Sequence, residues 1–205
     1  PPAGSISMNP VLFLMPGPMT GPKTGGAVAH AAGVVNAFSR AGKAVDCVSS
    51  GDLGMIGSGV TVHEVPPLDT LALPSETNLY RHNRRFVSQV LDRFAPGRKG
   101  FVYSRMTLGN YAGVLISRAL GLPLVLEYNG SEVWISRTWG NPLRYERLAS
   151  AAEEACPRHA HLVVTVSETL RGQLLFSWSW IFTQQKQMPA LSKSSRNIRL
   201  LPLCN

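Results

Sequence analysis

The sequence predicts an α/β fold, a mostly parallel sheet with helices on both faces, and three observations carry the prediction. Short apolar runs bounded by Gly or Pro recur along the chain. Between them lie stretches of helical spacing long enough to cross a sheet, which parallel strands require and hairpins do not. A glycine-rich loop directly follows the first apolar run and opens the first helix. Crossovers of this kind are right-handed, so loops at the strand ends gather on one edge of the sheet, where ligands bind.

Val11 to Met15 is a continuous apolar run broken by Pro16 and Gly17, the pattern of a strand buried on both faces. After a long Gly/Pro loop, Val28, Ala31, Ala32, Val35 and Phe38 recur at helical spacing from about Gly26, and Gly42 stands where that helix stops. Ala44 to Val48 reads as a second strand closed by the glycines from Gly51 to Gly59. Val60 to Val65 reads as a third, ending at Pro66 and Pro67. An amphipathic helix from about Glu76 to Phe94 follows, with Leu79, Phe86, Val90 and Leu91 facing inward, and Pro96 and Gly97 end it. The alternation then repeats: strand Gly100 to Tyr103, helix Tyr111 to Leu120, strand Leu124 to Glu127, helix Leu143 to Ala155, strand Leu162 to Val166. After Arg171 neither period is sustained. A short helix through Leu174 and Leu175 is expected, with irregular chain beyond it.

An apolar content of 44% in 205 residues is enough for a core, and disorder of the whole chain is not expected. The formal net charge of +8 points to an anionic partner without choosing between nucleotide phosphates, nucleic acid and an acidic membrane. No acidic residue follows Glu168, while Lys186, Lys193, Arg196 and Arg199 lie beyond it, so half of the excess belongs to the tail. Arg81, Arg84 and Arg85 read as the solvated face of a helix, because no aromatic residues alternate with them to stack bases. A specific nucleic-acid partner is therefore not expected. Cys47, Cys156 and Cys204 are odd in number and widely spaced, which fits idle thiols better than a disulfide framework or a zinc site. His159 and His161 flank a strand without a third ligand, so capping roles suit them and no metal is expected. Phe176 to Phe182 is too short to span a bilayer. The expected location is the cytoplasm, at most peripheral to a membrane. The chain opens on Pro, so a start that is missing or processed is expected.

Gly25 and Gly26 stand where backbone N–H groups and a helix dipole can hold a phosphate, although an isolated Gly-Gly more often serves only a turn. The loop is neither a Walker loop, since Pro22 precedes Lys23, nor a G-x-G-x-x-G dinucleotide loop. His30, one turn into the helix, can reach a hydroxyl or phosphate near that loop; alone it reads as structural. Two strand ends carry dense polar groups, Tyr103-Ser104-Arg105 and Glu127-Tyr128-Asn129-Gly130-Ser131-Glu132. Carboxylates, an amide and a guanidinium make a bed for sugar hydroxyls, and equally a salt-bridged loop bundle. No catalytic role follows for any one of them.

In order and spacing these pieces resemble the N-terminal, Rossmann-like domain of family 4 (group 1) glycosyltransferases of the GT-B fold. The resemblance runs through Gly25-Gly26 with His30, Ala41-Gly42-Lys43-Ala44-Val45, Tyr103-Ser104-Arg105, Gly121 to Gly130 and Val164-Thr165-Val166-Ser167-Glu168. It implies transfer of a sugar, of hexosyl type, from a nucleotide sugar to a carbohydrate or lipid-linked acceptor, with no cofactor and no metal. Gly25 and Gly26 are implied to face the donor phosphates, and His30, Arg105, Glu127, Asn129 and Glu132 to border the acceptor. Residues 1–175 are expected to form this acceptor-side domain, and residues 176–205 an irregular, poorly ordered basic tail. The hinge and second domain of family members have no counterpart after Arg171, as in a truncated chain with an unrelated or frame-shifted end. On its own such a chain is expected to be inactive or weakly active. The alternative is a non-catalytic sugar- or phosphate-binding module that docks onto a separate donor-domain chain.

Overall fold

The computed structural model of the chain describes residues 9–17, 25–67, 76–140, 142–185 and 199–202. Strands and helices alternate in the order β1 (Val11–Met15), α1 (Gly26–Arg40), β2 (Val45–Ser49), β3 (Val60–Glu64), α2 (Glu76–Arg93), β4 (Phe101–Arg105) and α3 (Ala112–Leu120). There follow β5 (Leu124–Tyr128), α4 (Glu132–Trp139), α5 (Glu146–His159), β6 (Leu162–Thr165), α6 (Glu168–Gln185) and β7 (Arg199–Pro202). All strands pair in parallel, in the order β3-β2-β1-β4-β5-β6-β7. The order reverses between β1 and β4. That is the switch point at which open α/β sheets leave a crevice beyond the strand ends.

Strand alternation explains why the apolar runs are continuous. Val11, Phe13 and Met15 of β1 join Val45, Cys47, Phe101 and Tyr103 beneath Val28, Ala31 and Val35 of α1. Leu12 and Leu14 point the other way, with Val102, Leu124 and Leu126, onto Phe86 and Val90 of α2, Ile116 and Leu120 of α3 and Cys156 of α5. Helices therefore cover both faces of a parallel sheet, as the alternation predicts. Gly42 ends α1 at φ 73, a left-handed conformation that glycine adopts without strain. Gly113 answers a different need. A Cβ there would lie 2.6 Å from Cβ of Ser104, so its absence lets α3 sit directly on β4.

Some elements differ from expectation. The connection after Glu127 contains α4, too short and too polar-aromatic for its period to register; Ser131 caps it, its Oγ accepting from the backbone N–H of Trp134 at 3.1 Å. α5 starts at Glu146 rather than Leu143 and runs to His159, carrying Pro157 in its last turn. α6 continues past Leu175 to Gln185, and residues 199–202 add a seventh strand where irregular chain was expected. The edge of β6 has backbone groups that need partners, and four residues suffice to supply them although they are too few to show a period. Residues 186–198 and 203–205, with Cys204, Lys186, Lys193 and Arg196, lie outside the described residues, as does the loop 18–24. No helix among the described residues is long and apolar enough to cross a membrane.

Candidate functional site

The ladder between β4 and β5 sets Arg105 directly beside Glu127. Side chains alternate along a strand, so Tyr103 shares the face of Arg105, and this face is the one covered by α1. α1 brings His30 to the same point. With Asn129, two residues beyond the strand position of Glu127, four side chains converge on the Glu127 carboxylate, which is 0% exposed.

The contacts fix both oxygens. Arg105 donates from Nη1 to Oε1 at 2.6 Å, Asn129 from Nδ2 to Oε1 at 2.9 Å, and the Tyr103 hydroxyl to Oε2 at 2.9 Å. His30 Nε2 lies 3.2 Å from Oε1. Its angle misses hydrogen-bond geometry, so this buried nitrogen has no hydrogen-bond partner among the described residues. A buried carboxylate is stable only when such donors replace its water, and the Arg105 side chain, itself 13% exposed, supplies the opposite charge. Tyr103 stacks on Phe13 with ring centroids 5.4 Å apart, which holds its hydroxyl in line. Burial, and then the neighbouring Glu127, push the Tyr103 pKa far up, so the phenol stays a donor.

A second carboxyl pair adjoins the first. Glu132 opens α4, and burial, then Glu153, raise its pKa while Arg105 opposes them. Glu153 reaches from α5 and accepts from the N–H of Val133 at 3.1 Å; burial raises its pKa as well. Tyr128 is pushed up to about 12 by burial and then by Glu153 and Glu132. Arg105 is therefore the cation shared by Glu127, which it bonds, and Glu132, whose negative form it favours.

Gly25 and Gly26 are exposed at the start of α1, which has no side-chain cap and no acidic residue in its first turn. Among the described residues a Cβ at either position meets nothing within 4 Å, so packing against those residues does not demand glycine. His30 links this helix start, one turn away, to the Glu127 cluster. The expected residues His30, Arg105, Glu127 and Asn129 come together, Glu132 stands beside them through Arg105, and the glycines occupy the adjoining helix end.

Sequence reasoning missed a second polar cluster at the ends of β1 and β2. Ser50 Oγ lies 2.7 Å from Nε2 of His82, both deeply buried, and the buried Oδ1 of Asn83 has no hydrogen-bond partner among the described residues. His82 lies four residues before Phe86, so helical spacing alone puts it on the inward face. Asn110 steadies the same edge, donating to the carbonyl of Pro16 at 3.3 Å and accepting from the N–H of Ala112 at 2.8 Å. His161 Nδ1 accepts from the N–H of Leu124 at 3.1 Å, the capping role its position suggests. No group of three His, Cys, Asp or Glu residues suited to a metal occurs among the described residues.

The profile of Glycosyltransferase Family 4 matches residues 24–177. The chain belongs to this family. No curated protein sequence matches it significantly. Among solved structures it is similar to a sucrose-phosphate synthase from Thermosynechococcus elongatus, at 15% identity with a TM-score of 0.64. The similarity covers 95% of this chain and 48% of that one. Identity this low speaks for the fold alone, and the family member described here spans about half the length of that larger GT-B protein.

Proposed function

We propose that this domain is the acceptor side of a glycosyltransferase that moves a hexosyl group from a nucleotide sugar to a carbohydrate or lipid-linked acceptor. The observation that carries the reading is the fully buried Glu127 with Tyr103, Arg105 and Asn129 bonded to it. Glu127 is committed on both oxygens, so its part is to position, and no base role is assigned to it. Arg105 spends one N–H on Glu127 and has further donors for an acceptor hydroxyl. Asn129 offers its carbonyl oxygen, and Glu132 a carboxyl that burial biases toward holding a proton. The N–H groups at Gly25 and Gly26 face the donor phosphates in this scheme.

A second, nucleotide-sugar-binding domain supplies most of the stabilisation of the departing diphosphate, whether joined to this one or borne by a separate chain. The place of action is the cytoplasm, at the membrane if the acceptor is lipid-linked. The test is a steady-state assay over a panel of nucleotide sugars. The 205 residues alone should stay at background, and pairing with a donor-binding domain should give turnover that Arg105→Ala lowers on the order of a hundredfold. Robust turnover by the 205 residues alone, or full turnover in the variant, refutes the scheme.

A further inference from the structure

α4 leaves two tryptophans outside the core. Trp134 is 53% and Trp139 78% exposed, and their rings meet edge to face with centroids 5.9 Å apart. Val133, between Glu132 and Trp134, is the buried residue that anchors the helix. The chain continues into Tyr145 and Leu148, which are also exposed. Indoles, a phenol and a leucine left in water on one short segment are costly unless something covers them.

The charges beside them indicate what covers them. From Glu132 to Leu148 three cations, Arg137, Arg144 and Arg147, outnumber two anions, Glu132 and Glu146, of which Glu132 stands beside Arg105 in the candidate site. Arg137 is bonded to Glu146, while Arg144 and Arg147 are exposed and make no ion pair among the described residues. Glu76 Oε2 accepts from the N–H groups of Arg144 at 2.8 Å and Tyr145 at 3.3 Å, tying the first turn of α2 to this segment. Farther along α2 stand Arg81, Arg84 and Arg85, exposed and likewise without an ion pair among the described residues.

We infer that the segment from α4 to the start of α5 docks the protein onto an anionic lipid bilayer. Trp134, Trp139 and Leu148 enter the boundary between headgroups and acyl chains, the level that indoles prefer, and Arg144 and Arg147 meet lipid phosphates. A sugar ring would use the indoles and leave Leu148 and the arginines idle. A nucleic acid would leave Leu148 in water. A bilayer with anionic headgroups satisfies the apolar and the cationic groups together. This deepens the proposed function, since α4 begins at Glu132 beside the candidate acceptor residues and docking sets them at a surface that carries lipid-linked acceptors. The docking test reads binding rather than turnover, so it can fail separately from that reading.

The experiment sediments the full 205-residue chain with vesicles of phosphatidylcholine alone and with added phosphatidylglycerol, at low and raised salt. Binding should require the anionic lipid and weaken with salt. Trp134→Ser with Trp139→Ser should weaken it on the order of tenfold. Arg144→Ser with Arg147→Ser, at exposed sites that leave the fold intact, should weaken it about fivefold per arginine. No binding to the anionic vesicles at low salt overturns the inference, as does full binding by the folded arginine variant. So does a tryptophan variant that keeps vesicle binding and loses only self-association in sedimentation velocity.

Discussion

Arg105→Met removes the charge that faces a carboxylate with no access to water. Breaking a buried pair by deleting one partner costs about 3–5 kcal/mol, because the surviving charge is left uncompensated. Here Glu127 retains the Tyr103 hydroxyl, the Asn129 amide and the imidazole of His30 at 3.2 Å, which places the loss near ~3 kcal/mol. Glu127→Gln keeps an oxygen acceptor of the same shape and should cost about 1–2 kcal/mol. Once the carboxylate is gone the arginine matters less, so the double variant should be more stable than the two losses added together, by roughly 2 kcal/mol. Urea unfolding followed by circular dichroism measures all three. Thermal melts should fall by roughly 6–12 °C for Arg105→Met, at about 2–4 °C per kcal/mol in a protein of this size. A loss below about 1 kcal/mol for Arg105→Met, or strict additivity in the cycle, would show that the carboxylate is not held by this cation.

The remaining predictions concern packing and ionisation. Gly113→Ala drives a methyl group into Ser104 and should cost about 1–3 kcal/mol, with Ser104→Gly recovering most of it in the same melts. Burial, and next Arg85, hold the His82 pKa below its ordinary value, with the Pro16 carbonyl opposing. The unfolded chain therefore takes up the proton first, so this contribution is whole above about pH 6.5 and lost as pH falls through the lower folded value. His82→Gln should flatten that part of the stability profile, and an unchanged acid limb would count against it. Burial pushes the thiols of Cys47 and Cys156 up to about 12, so at pH 8 a maleimide should leave both unmodified by mass spectrometry until urea is added. Prompt labelling of either in the native protein would contradict the packing described.

Much of the sheet is legible in the sequence because parallel strands buried on both faces must be apolar throughout. β1, with Val11 to Met15 all buried, is the plainest case. α4 was hidden by its composition: with two tryptophans exposed and one valine buried, it has no apolar stripe to read. β7 was hidden by its brevity and by the edge it completes, since pairing with β6 depends on a distant strand. In the candidate site, Arg105 and Glu127 could be picked out as polar residues ending apolar strands. That they bond to each other depends on register, and that Tyr103 joins them depends on alternation; neither is set by composition. Ser50 and His82 lie thirty-two positions apart, and only the fold makes them neighbours.

The reversal of strand order at β1 also bears on how the chain emerges during synthesis. β1, α1, β2, β3 and α2 come first, and until Phe101 to Arg105 follow, one side of β1 has unpaired backbone groups, while Leu12 and Leu14 have α2 but still lack α3 and α5, which complete their cover. A nascent segment with an open strand edge and uncovered leucines is the kind that associates with its neighbours or recruits a chaperone. The seam that gathers Tyr103 and Arg105 toward the ligand edge is thus the same seam left raw for longest. A ribosome stalled before residue 101 should hold a more aggregation-prone chain than one stalled after residue 128.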